Sequence, residues 1–351
     1  MKSRSMSPGA IHLALIVAFC VGRLSAQEPV ETTGRVFAKH PDRVETIALA
    51  KVGGFILGLD TAGRVIQWQL SSGKELGRHD VPRPFGSETP PGSTPPFLAV
   101  DAKGKSLAVL VHGVEPQLFK MFLGRKPDPN VELGIFRGAR PIQVRRNRDD
   151  GVFTFIDDQQ HVGLIFSEVS RDITSMQVAL KVNETKTALT SLAVSKDGKW
   201  ILVGDARGLI TGFPQLDLET RESFAHHESA VGFLECHPKK AKFVSSTGSG
   251  HLAFWDIKKP EPTRLVPVEK RLTVLAYSLT GGLLATGLAD GSIAIWNDKE
   301  DRPLATLKSP EFGVAETLVF GKGDHLFACG YGPSIITWDV KKAIAAQRRA
   351  R

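Results

Sequence analysis

The densest cluster of potential metal ligands in this 351-residue chain is His226-His227-Glu228. Two imidazoles beside a carboxylate could begin a metal site. Asp157-Asp158 places two adjacent carboxylates in the chain, and a surface turn is their default reading. Arg145, Arg146 and Arg148 could hold an anion, but Asp149 and Asp150 follow directly, and the stretch reads as a solvated hairpin. Asn183-Glu184-Thr185 is a glycosylation sequon, which matters only in a eukaryotic source. The spacings that mark established chemistries are absent: no C-x-x-C-H, H-E-x-x-H, G-x-S-x-G or G-x-x-x-x-G-K-[ST] occurs. No catalytic, cofactor-binding or metal residue is assigned, and the chain is read as a non-enzyme.

The elements that would position these residues come from one recurring unit. Residues 283–297, LLATGLADGSIAIWN, read as two short strands around an Ala-Asp-Gly turn, where Gly291 supplies the positive φ of a tight hairpin. One such hairpin cannot bury its own apolar faces. The unit recurs at VSSTGSGHLAFWD (244–256) and FACGYGPSIITWD (327–339), and the closing residues Trp255, Trp296 and Trp338 stand 41 and 42 apart. Upstream the copies weaken but keep phase. GLDTAGRVIQWQL (58–70) closes on Trp68, and ILVGDARGLITGF (201–213) puts Phe213 at the tryptophan position. Two degenerate copies fill the gap at 106–122 and 151–166. A further strand and polar turn precede the hairpins, as in LAVSKDGKW (192–200), LAVDAKGKS (98–106) and LAYSLTGG (275–282).

A period of 40–45 residues ending in Trp-Asp resembles the WD40-repeat family. The resemblance spans nearly all of the chain after residue 31. It implies an all-β fold: a seven-bladed β-propeller of four-stranded antiparallel blades over residues 32–340, its ring closed by the N-terminal strand. Thr33 to Ala38 would pair beside Ser334 to Trp338 and remove the free sheet edges.

The family's His, Ser/Thr, Asp and Trp network carries over in pieces. The blade signature is read at His40, Trp68, His227, Trp255, Asp256, Thr286, Asp290, Trp296, Trp338 and Asp339. The first blade has Ala62 where Asp is usual. The fifth has Ser246 as its hydroxyl and Ser249 at the Asp position. The sixth has no His at the usual place. No blade looks complete, and apolar packing between blades is expected to carry stability. By the same resemblance His227 and His237 are structural, and Asp157-Asp158 falls in a surface turn.

Residues 1–26 read as a secretory signal peptide: Lys2 and Arg4, an apolar run over 10–21, then Leu24-Ser25-Ala26, with cleavage near Ala26. The run is too short to span a bilayer comfortably, so no transmembrane anchor is expected. Residues 82–96, PRPFGSETPPGSTPP, are the most Pro/Gly-rich stretch and cannot form a central strand. They read as a long loop between the first two blades. Arg83, Phe85 and Glu88 are the candidate partner contacts there. Residues 341–351, KKAIAAQRRAR, read as a frayed basic tail.

The formal charge of +8 belongs to the two ends. Three of the 45 basic residues (Lys2, Arg4, Arg23) lie in the leader and five (Lys341, Lys342, Arg348, Arg349, Arg351) in the tail, with no acid in either, so the remaining 37 are matched by all 37 acidic residues. A nucleic-acid-binding body should show a basic face, so no nucleic-acid partner is expected. Three cysteines make no disulfide scaffold. Cys20 leaves with the leader, and Cys236 and Cys329 fall on separate blades as small buried hydrophobes.

The reading that results is a secreted or periplasmic, non-catalytic protein–protein interaction platform without cofactor. It would be a monomer or part of a larger complex, its unidentified protein partner bound on the face carrying the b–c and d–a loops. The alternatives from other classes are a propeller-type enzyme, lactonase or quinoprotein-like, and a propeller binding a small ligand or glycan.

Overall fold

The computed structural model describes residues 31–50, 53–81, 97–100, 106–111, 117–123, 131–135, 139–146, 152–166, 176–181, 187–214, 217, 220–225, 227–248, 250–309, 311 and 313–351. The leader, the loop 82–96 with Arg83, Phe85 and Glu88, the sequon at 183–185, and His226 and Ser249 lie outside the described residues.

The chain folds as an all-β propeller of small antiparallel sheets. Six sheets have four strands and one has five. In chain order they occupy residues 44–80, 98–135, 141–181, 189–225, 233–268, 272–308 and 315–339, here sheets 1 to 7. Sheets 1 to 6 each run as an up-and-down meander with sequential neighbours paired. Short turns dictate this: Gly63, Gly208 and Gly291 all take positive φ between the second and third strands.

Successive side chains along each strand point to opposite faces, and apolar residues of facing sheets pack together. Each of seven buried clusters joins two consecutive sheets. Phe224 and Trp255 pack sheet 4 on sheet 5, and Leu252 and Trp296 pack sheet 5 on sheet 6. Trp338 and Leu307 join sheets 6 and 7, while Trp68 and Phe327 join sheets 7 and 1. Apolar burial between sheets, worth about 25 cal/mol per Å², is thus spread over every junction.

Two N-terminal strands lie on the last two sheets. Glu31–Thr33 adds parallel to Ala305–Lys308 as the fifth strand of sheet 6. Arg35–Lys39 pairs antiparallel with Ser334–Asp339 as the outer strand of sheet 7. Thr33 is therefore on a different sheet from the one expected of it: it faces Lys308, and Gly34 is the crossing point.

The C-terminal residues also differ from the expectation of a frayed tail. Val340–Ala350 is an α-helix, capped by Asp339, whose side chain accepts from the Lys342 amide at 3.1 Å. Val340, Ala343 and Gln347 are buried at helical spacing, the first two in the cluster between sheets 6 and 7. Its cations face outward, and Lys341 pairs with Asp324 at 3.5 Å. Among the described residues no helix is long and apolar enough to cross a membrane.

Candidate interaction surface

Most polar groups singled out in the sequence lie at strand ends, and the structure shows what each one holds. His40, on the link from the outer strand of sheet 7 into sheet 1, is buried between two acceptors of sheet 1. Its Nε2 donates to the Gly58 carbonyl at 3.1 Å, and its Nδ1 lies 3.1 Å from Asp60 Oδ2. Burial pulls the His40 pKa down, against the upward pull of Gly58 and Asp60. The ring meets Trp68 edge-on at 5.1 Å. Asp60, fully buried, accepts from the Arg64 amide at 2.8 Å and its Nε at 2.9 Å, and Arg64 also pairs with Asp42. The signature places Ala62 where Asp is usual; Asp60, two residues earlier, fills that role.

Asp60 has counterparts. Asp157 and Asp205 also end second strands and are buried. Asp157 Oδ1 accepts from the amides of Gln159 (3.0 Å) and His161 (2.8 Å), and its Oδ2 from His161 Nδ1 (2.9 Å). Asp205 Oδ1 accepts from Arg207 (2.8 Å) and Leu209 (3.0 Å) amides. The expectation of a surface turn thus holds for Asp158 but not for Asp157. Its carboxylate is needed inside, because the turn leaves two amides pointing at one spot.

In sheet 5, Trp255 Nε1 donates to Ser245 Oγ at 2.8 Å. That leaves the Ser245 hydroxyl hydrogen for His227 Nε2 at 2.7 Å. The hydroxyl of this network is Ser245, not Ser246, whose Oγ accepts from the Gly248 amide instead. Adjacent strand residues face opposite ways, so one position decides the role. In sheet 6, Trp296 Nε1 donates to Thr286 Oγ1 at 2.9 Å as the signature implies. Asp290 stands apart, at the turn. Burial alone would raise its pKa, but Lys270 and the Ser292 hydroxyl and amide hold it at about 2. Asp256 accepts from the Lys258 amide at a turn, and Asp339 caps the helix. Trp338 Nε1 crosses to the Lys308 carbonyl of sheet 6 at 3.2 Å.

His237 is structural. Its Nδ1 accepts from the amides of Lys239 and Lys240 at 3.0 and 3.1 Å, and burial lowers its pKa. Cys236 and Cys329 are both free and buried. Among the described residues no three His, Cys, Asp or Glu side chains form a metal-binding group.

The face with the turns between second and third strands carries one feature with no forerunner among the sequence motifs. Tyr331 is 73% exposed in the sheet 7 turn. The Arg43 guanidinium lies over its ring at 4.1 Å and is itself held by both oxygens of Glu316, at 2.6 and 2.8 Å. Beside it a depression of about 290 Å³ is lined by Asp290, Lys308, Glu311 and Tyr331. A rigid exposed aromatic among charges is a common interface anchor. The central channel, a cavity of about 370 Å³, presents Thr46, Gln143, Arg145, Glu235 and Glu316. Glu235 is part-buried on this lining, and its carboxylate makes no hydrogen bond among the described residues. Burial pushes its pKa up to about 7 despite the charge of Arg145.

The family model described as "WD40: WD domain, G-beta repeat" matches residues 268–297, which lie almost wholly in sheet 6. The chain is 22% identical over 177 residues to "Target of rapamycin complex subunit wat1" of Schizosaccharomyces pombe, covering 48% of this chain and 56% of that protein. It is 28% identical over 138 residues to "F-box-like/WD repeat-containing protein TBL1X" of Homo sapiens, covering 35% of this chain and 24% of that protein. The matched stretch spans about half the length of the first relative and a quarter of the second. Among solved structures, "Structure of U3-55K" superposes with a TM-score of 0.66 at 17% identity, over 87% of this chain and 97% of that one. Tryptophan phase, sheet order and these likenesses agree: the chain is a β-propeller that carries a WD40 repeat at residues 268–297 and is similar to WD-repeat proteins.

Proposed function

We propose that this propeller is a non-catalytic interaction platform that works outside the cytoplasm as a subunit of a larger protein assembly. The observation that carries the platform reading is where its reactive side chains go. Asp60, Asp157, Ser245 and Thr286 are engaged by backbone or side-chain partners at their strand ends and turns, and His40 and His227, on the links between sheets, bond to the sheet that follows them. They hold the framework together, and the surfaces left are contact surfaces. The relatives named as a complex subunit and as an F-box-like/WD repeat-containing protein support a role in assemblies. The export reading rests on residues 1–26, with Lys2 and Arg4 before the apolar run and cleavage near Ala26.

The seven sheets are taken as blades of one closed ring clasped by the N-terminal segment. The pairing of Arg35–Lys39 with Ser334–Asp339 and the cluster joining sheets 7 and 1 support this. The partner sits on the face of Tyr331 and Arg43, and the segment 82–96 is a second contact element.

Cell fractionation with N-terminal sequencing of the native protein tests the export reading. A mature chain starting near Gln27 in the exported fraction is expected; an intact Met1 in the cytoplasm overturns it. Native size measurement in the same fraction tests assembly. A species well above the chain's 38.1 kDa that dissociates in high salt or denaturant is expected, and a free monomer at native concentration argues against it.

A further inference from the structure

A second cavity opens on the opposite face, where the turns between first and second strands emerge. It is a groove of about 860 Å³. Its inner end lies at Glu235 and Cys236 on the first strand of sheet 5, and its outer end at Arg35 and Phe37 on the outermost strand of sheet 7. It therefore crosses the width of a four-stranded sheet, roughly 14 Å at about 4.8 Å per strand. That length suits four or five residues of extended chain at about 3.3 Å each.

The lining of this groove is two-part. Phe37, Leu49, Leu70, Val194 and Phe327 form an apolar floor, and Leu279 stands 38% exposed at its edge. Arg35, Lys196 and Lys322 are cations on the same lining. None of the three makes a salt bridge or side-chain hydrogen bond among the described residues. Elsewhere many surface cations are paired: Arg43 with Glu316, Arg64 with Asp60, Arg78 with Glu75, Arg264 with Asp301 and Lys270 with Asp290. Glu235 is the one acid on the described lining and sits at the far inner end. Three unpaired cations along an apolar trough leave a field with no internal partner, and complementary charge on an incoming chain would supply one.

We propose that this groove docks an extended acidic segment of a partner protein. One large apolar side chain of the segment lies on the floor at Phe37 and Phe327, and flanking carboxylates meet Arg35, Lys196 and Lys322. The inference rests on the platform reading above but names a second site, on the face away from Tyr331.

The test is panning of a random twelve-residue peptide library against the full chain, with the charge-reversed variant K196E/K322E as comparator. Both lysines lie at surface turns, and melting curves confirm that the variant folds. The expected result is enrichment of peptides carrying Asp or Glu on both sides of a Phe, Leu or Trp. Their affinity should fall at least tenfold on K196E/K322E and fall again with added salt. Alanine at Leu279 should weaken them without changing the salt dependence. Peptides that bind wild type and variant alike, or lack acidic residues, overturn the groove proposal while leaving the platform reading in place. No enrichment from the library overturns the groove proposal and leaves the platform reading to its own test by native size measurement. Saturable binding of laurate without any enriched peptide assigns the groove to a small amphipathic acid and overturns the peptide proposal.

Discussion

Gly34 lies flat against the indole of Trp338. A Cβ added to Gly34 would stand 2.5 Å from Trp338 Cε2 and 2.5 Å from Ile336 Cγ2, closer than any real side chain tolerates. The two residues also share an acceptor, since the Lys308 carbonyl takes both the Gly34 amide at 2.9 Å and Trp338 Nε1 at 3.2 Å. The chain crosses from sheet 6 to sheet 7 at this point, so one carbonyl ties the N-terminal segment to both. Gly34→Val should therefore destabilise the whole propeller, by about 2–3 kcal/mol as an overpacked site. Thermal unfolding followed by tryptophan fluorescence would show a lower Tm; an unchanged Tm would mean the N-terminal segment contributes nothing to stability.

Ser245 and Ser246 separate two readings of the same strand. Ser245 serves both His227 and Trp255, so Ser245→Ala leaves a buried indole N–H and an imidazole short of a partner, a loss of roughly 1–3 kcal/mol. Ser246→Ala removes only the 3.2 Å bond from the Gly248 amide and should cost less. Denaturant midpoints of the two variants measure the order directly, and a larger loss at Ser246 would contradict the assigned network.

Gln160 occupies the turn position that Gly63 and Gly208 hold in sheets 1 and 4, three residues after the buried aspartate, and its φ is 69°. Left-handed backbone costs a residue with a Cβ about 1–2 kcal/mol, offset in part by the freedom glycine gains when unfolded. Gln160→Gly should stabilise the protein by about 0.5–1 kcal/mol. A lower chemical-denaturation midpoint would show that the glutamine side chain makes a contact outweighing the strain.

Glu235 gives a signed pH prediction. Its carboxyl titrates near 7 in the fold against 4.5 for an ordinary glutamate. Between those values the folded chain keeps a proton the unfolded chain has lost, so stability falls as pH rises through this window. Glu235→Gln should leave stability unchanged below pH 4.5 and raise it above pH 7. His40, His79 and His237 act the other way. Burial lowers each of them from 6.5, so their contribution is lost as pH falls below that value. The difference between wild type and Glu235→Gln cancels the histidines, and a difference that does not vary with pH would place Glu235 in open solvent.

The three late tryptophans made the fold legible, because few patterns besides a propeller repeat close a small/apolar strand with a bulky indole at a steady period. Trp296 with Thr286 was readable for the same reason. Ser245 was missed because strand register, not composition, decides which of two adjacent serines faces the indole. Asp60, Asp157 and Asp205 were hidden because each ends an apolar strand, where an aspartate looks like the start of a loop; their shared signal is a left-handed residue three positions on. The C-terminal helix had its signal in Val340, Ala343 and Gln347, outweighed by the lysines and arginines around them. Tyr331 has no signal in the sequence. Its exposure and its contact with Arg43 depend on a chain crossing between sheets 7 and 1.

The most direct measurement of the platform account is affinity capture from the exported fraction with the tagged native chain, in parallel with the chain lacking residues 82–96 and with Tyr331→Ala, and with metal analysis of each sample. The account predicts one stoichiometric protein partner on the native chain, reduced or lost on both variants, and no stoichiometric metal. A chain that captures no partner and carries one bound metal per molecule would contradict it and bring the enzyme reading forward.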